Sequence, residues 1–152
     1  MKNAISLLLI CSVIFESFTN CKKDSTVTNV NGLSGDKLKI KIGTKTYNAT
    51  LYGNKTTDAL KAMLPLTLDM TELNSNEKKF DLSVNLPTNI EEIGTIHEGD
   101  ILLWGSNTIV LFYKNFNTPY RYTKIGKIDD ANGLAATLGG GDVKVSFEIE
   151  KD

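Results

Sequence analysis

"GDILLWGSNTIVLFYK", Gly99 to Lys114, holds the single Trp of the chain and an apolar run interrupted by one short turn. Ile101 to Trp104 and Thr108 to Tyr113 are apolar at successive rather than alternate positions, so both faces of each segment need cover. Central strands meet that need, with a barrel interior on one side and a helix or loops on the other. "GSN", Gly105 to Asn107, is the turn between them. Read this way, the stretch is mostly core, and Trp104 stands at its end as either a core or rim aromatic or a ligand platform.

Working outward, the same period-two signal recurs. Leu38, Ile40 and Ile42 alternate with lysines, and Tyr47, Ala49 and Leu51 continue beyond "GTK", so Leu38 to Tyr52 is predicted to be a hairpin turning at Gly43. "YGNKTTDALKAMLP" supplies the one strong helix signal: Asn54 or Thr57 as cap, Asp58 in the first turn, Leu60, Met63 and Leu64 on one face, and Pro65 as terminator. "LPLTLDM" and "FDLSVNLP" return to alternation, the second with Phe80, Leu82, Val84 and Leu86. After the opening stretch come "YRYTKIGKID" as a strand, "ANGLAATL" as a helical turn, a loop at Gly139 to Gly141, and "VKVSFEIE" as a closing strand with Val143, Val145, Phe147 and Ile149 inward. Seven or eight short strands with one or two short helices predict a mainly β fold, a small closed barrel.

The amino end has a different character. Lys2 precedes an apolar run, Ala4 to Phe15, which is shorter than the roughly 20 residues a spanning helix needs and suits a secretory signal. Cys21 in "SFTNCKKDS" resembles the acylated Cys of a bacterial lipoprotein, with Asn20 replacing the usual small residue before it; the alternative is an incidental Cys near a cleavage site. The expected division is a lipoprotein signal at 1–20, a flexible tether rich in Ser, Thr, Asn and Gly at 21–36, and one domain at 37–152. The expected location is the bacterial cell envelope, with the exported chain held to a membrane by lipid. No Cys follows Cys21, so no disulfide staples the domain and its stability rests on the core.

A formal net charge of −1 and a pI near 5.9 create no global field for nucleic acid. His97 and the surrounding acids Glu91, Glu92, Glu98 and Asp100 lack the spacing of a zinc site, and no metal is predicted. "LGGGD" lacks the Lys and Ser/Thr of a phosphate loop, and no nucleophile signature is present, so no cofactor is expected.

In their order, "TYNATLYGNKTTDALKAMLPLTLDM", "GDILLWGSNTIVLFYK" and "YTKIGKID" with its Gly-rich loop and terminal strand resemble the bacterial cyclophilin-like domain family over about Leu38 to Glu150. The resemblance implies a short cyclophilin-like barrel and invites prolyl isomerase activity. The chain, however, has a single Arg, Arg121 in a late strand, and no Gln, so the cyclophilin catalytic set cannot be reproduced and no residue receives a catalytic role. Trp104, Phe112, Tyr113, Phe116, Tyr120 and Arg121 form the best candidate ligand pocket, apolar walls with one polar director. The functional expectation is a membrane-tethered, non-catalytic module for a peptide or small ligand; the alternative is a divergent prolyl isomerase assisting exported proteins.

Overall fold

The computed structural model describes residues 32–150. Within them the order is β1 (Leu33–Ile42), β2 (Lys45–Tyr52), α1 (Lys55–Lys61), β3 (Leu66–Leu73), β4 (Glu77–Asp81), β5 (Glu91–Ile96), β6 (Asp100–Trp104), β7 (Thr108–Phe112), β8 (Phe116–Ile128), α2 (Leu134–Leu138) and β9 (Val143–Ile149). The strands run β2-β1-β9-β3-β4-β7-β6-β8, and β8 pairs back onto β2, closing an eight-stranded barrel of the expected kind. β5 lies outside the ring, paired only to the first half of β8. The expected signal and the Cys21 anchor lie outside the described residues. β1 begins at Leu33, paired with Tyr52, within the span read as tether.

Alternation explains the ring. Leu38, Ile40, Ile42, Ala49, Leu51, Leu68, Met70, Val145 and Phe147 are all buried and belong to one interior cluster, each burial contributing about 1.5–3 kcal/mol for a large aliphatic side chain. The hairpin turns at Gly43, whose φ of 57° is left-handed. Closure depends on a second glycine, Gly126 opposite Leu51, where an added Cβ would lie 3.0 Å from the carbonyl oxygen of Thr50. Asn54 caps α1 by accepting from the Thr57 amide at 2.9 Å, and its amide group donates to the Lys124 carbonyl at 2.8 Å, tying the helix start to β8. Leu60 of α1 and Leu134 and Leu138 of α2 pack onto the interior cluster.

The opening stretch has both faces covered, as its composition requires. Ile101, Leu103, Ile109 and Leu111 point into the barrel, while Leu102, Val110 and Phe112 join Ile96 and Tyr122 in a second cluster on the outer side. The cover there is β5, not a helix. Two expectations need correction. β4 ends at Asp81, so "FDLSVNLP" is not one strand. Leu82 and Leu86 stay buried, but their amides bond to the carbonyls of Asn107 and Ser106 in the β6–β7 turn, leaving Val84 exposed. β5 was not expected, because "EEIGTI" carries only Ile93 and Ile96 as large apolar residues and covers one face.

A cleft on the outer barrel wall

Outward positions of β3, β4, β7, β6 and β8 line a cleft of about 310 Å³. Register decides its membership: Glu77 pairs with Phe112, Lys79 with Val110 and Trp104 with Thr108, so these residues all face outward. Trp104 is 43% exposed and Tyr120 58%, two of the largest exposed apolar groups on the described surface. Their rings meet edge to face at 5.3 Å, and Trp104 also leans on Tyr122 at 5.2 Å. Tyr122 is in turn edge-on to Phe112 at 5.8 Å, which roots the aromatic wall in the outer cluster.

Two charges face this wall. Lys79 is engaged by Asp81 at 2.8 Å, and Asp81 also accepts from Thr108 at 2.7 Å. Glu77 is 8% exposed and accepts one side-chain hydrogen bond, from Asn74 at 3.2 Å. Burial pushes its carboxyl above the usual range, the Asn74 bond opposes this, and the nearby charge of Glu72 adds to the rise. Burial likewise raises the Tyr122 hydroxyl, with the Glu77 charge as a second cause, so the phenol stays neutral.

The six residues expected to form one pocket are distributed over four places. Trp104 and Tyr120 line the cleft. Phe112 and Phe116, 5.7 Å apart, lie in the outer cluster behind it. Tyr113 belongs to the interior cluster, where its hydroxyl donates to Glu72 at 2.8 Å. Arg121 does not line the cleft; it pairs across to Glu92, and its guanidinium donates to the Ile90 carbonyl at 3.3 Å. Sequence reasoning missed Glu77, Lys79 and Leu73, because nothing in "LNSNEKKF" marks which of its charges faces outward. The glycines of "LGGGD" serve a structural role: the carbonyls of Gly139 and Gly141 receive the ammonium of Lys78, which is wholly buried. A hollow of about 490 Å³ beside Leu64 and Pro65 is larger, but it is rimmed by Lys39, Lys61 and Glu148, whose charges are engaged in ion pairs.

No curated protein matches the chain. A hypothetical protein of Archaeoglobus fulgidus, known from a solution structure, is similar at a TM-score of 0.57 and 20% identity, covering 78% of this chain and 97% of the other. That likeness shows the fold. The model of the Cyclophilin-like family matches residues 40–148, from within β1 to within β9, and the chain therefore belongs to the cyclophilin-like family.

Proposed function

We propose that this cyclophilin-like domain is a non-catalytic binding module whose outer cleft takes a segment of a peptide or a small ligand. The observation that carries the reading is the Trp104–Tyr120–Tyr122 wall standing open above the buried Glu77. Aromatic surface left exposed over a small number of polar groups is the usual make-up of a small-ligand site. A prolyl isomerase, by contrast, uses a cationic donor at the prolyl amide. The one cation lining this cleft, Lys79, is held by Asp81, and Arg121 lies elsewhere.

The module is further proposed to be exported and anchored at the cell envelope through acylated Cys21, on the strength of the apolar leader and the Cys that follows it. Replacing Cys21 with Ser should then move the chain from the membrane to the soluble fraction. The binding reading is tested on the full chain in detergent, using the emission of Trp104, the sole Trp, with short peptides as titrants. A saturable change lost in Tyr120→Ala is the expected result. Acceleration of prolyl isomerisation in a test peptide, abolished by Lys79→Ala or Arg121→Ala, would replace this reading with the isomerase one.

A further inference from the structure

Glu77 is the anomaly of the cleft. A carboxylate removed from water is costly unless a cation or several donors compensate it. Glu77 is about nine-tenths buried and has a single side-chain donor, Asn74. Among the described residues no Lys, Arg or His nitrogen comes within ion-pair distance of it, although Lys79 is two residues away on the same face. Lys79 turns to Asp81 instead, so its charge is offset there and leaves Glu77 uncovered. Glu72, the other charge acting on Glu77, has the same sign.

The aromatic wall has the same electrostatic preference. The faces of indole and phenol rings carry the negative end of a quadrupole, and a cation resting on them is attracted. Trp104 and Tyr120 present that surface to solvent, and Tyr122 and Glu77 line the same cleft beside them. Leu73 and Val110 supply apolar contact for a stem. A volume of about 310 Å³ suits one side chain rather than a folded surface.

We propose that the cleft selects an organic cation, an alkylammonium of the kind a lysine side chain of a peptide carries, its stem lying on Trp104 and Tyr120 and its charge paired with Glu77. The inference rests on the reading of this cleft as a binding site and names the chemistry the site prefers.

The test is calorimetric titration of the full chain with N-acetyl-lysine methylamide and with its uncharged counterpart, N-acetyl-norleucine methylamide. Lysine amide should bind about tenfold more tightly than norleucine amide, a difference of the size a carboxylate and aromatic faces together give a partly desolvated cation. Glu77→Gln should remove most of that preference, leaving the smaller part that the aromatic faces supply, and leave norleucine amide unchanged. Tyr120→Leu, at an exposed position that does not threaten folding, should weaken lysine amide more than norleucine amide. Equal binding of the two amides by the wild-type chain, or a lysine preference undiminished by Glu77→Gln, overturns the cation proposal while leaving a binding cleft in place. Binding of neither amide by a chain that still unfolds cooperatively overturns the binding reading as well.

Discussion

Lys78 donates from inside the barrel to the carbonyl oxygen of Gly141 at 2.6 Å. Its other partners are the carbonyl of Gly139 at 2.8 Å and the carboxylate of Glu72, so the three donors of the ammonium meet three acceptors with no water required. The buried charge thereby fastens the Gly-rich loop to the end of the barrel.

Removing that charge should be severe. Lys78→Met leaves Glu72 without its cation and two carbonyls without a donor, and breaking a buried ion pair costs about 3–5 kcal/mol. Against a typical domain stability of about 5–15 kcal/mol, much of the total would go. Urea denaturation of the variant measures it, and a loss below about 1 kcal/mol would show that the loop is held by other means.

The same network makes stability depend on pH at both ends. Burial pushes the Glu72 carboxyl upward, but hydrogen bonds from Lys78 and Tyr113 outweigh it and hold the carboxyl below its ordinary 4.5. A lowered native value stabilises the fold above 4.5, and that contribution is lost as the pH falls through the native value. The Tyr113 hydroxyl is pushed up to about 12 by burial and by its bond to Glu72. A raised native value means a contribution fully present below 10, the ordinary phenol value, and lost between 10 and about 12. Melting temperatures of wild type and Tyr113→Phe across this alkaline range should converge, because the variant has no phenol to ionise.

Glu77 behaves in the opposite sense to Glu72. Its raised carboxyl means that ionisation at neutral pH works against the fold, so Glu77→Gln should stabilise the domain at pH 7. The gain should shrink as the pH falls through the raised native value toward 4.5 and be absent well below it, where the carboxyl is neutral in the folded and unfolded chain alike. Thermal scans at pH 7 and pH 4 compare the two conditions. A destabilised variant at pH 7 would assign Glu77 to the architecture rather than to the cleft.

Gly126 permits β8 to close on β2. A Cβ there would stand 3.0 Å from the Thr50 carbonyl and 3.2 Å from Leu51, so Gly126→Val must spread the seam. Overpacking of this kind costs about 1–3 kcal/mol. Amide exchange should quicken over Ala49, Thr50 and Leu51, the β2 positions paired across the seam, with smaller change in β3 and β4.

Much of this fold is written in alternation. The β1–β2 hairpin, the capped helix, β3 and β9 each follow from inward residues at every second position or from a cap and a terminating Pro, and β6 and β7 from apolar runs that need cover on both faces. What escaped depends on partners distant in sequence. β5 has weak alternation and exists because the outer cluster of Leu102, Val110, Phe112 and Tyr122 needs cover. Lys78 reads as a surface residue until Glu72 and the Gly139–Gly141 carbonyls converge on it. In the cleft, Trp104 and Tyr120 could be found as rare exposed aromatics near strand ends. Glu77 could not, because one carboxylate among many becomes distinctive only through its burial.

β9, the last strand, occupies the place between β1 and β3. Its residues Val145 and Phe147 each have a partner on both sides: Ile42 and Ile40 in β1, Leu68 and Leu66 in β3. While the chain is being synthesised, the amino-terminal hairpin and the strands from β3 to β7 therefore have no shared sheet on that side. Residues separated by more than a hundred positions must meet before the ring exists, which places the domain among slow folders. A nascent chain stopped short of Val143 keeps an open seam where Ile40 and Leu68 lack their β9 partners, and the final seven-residue strand acts as the closing stitch of the whole assembly.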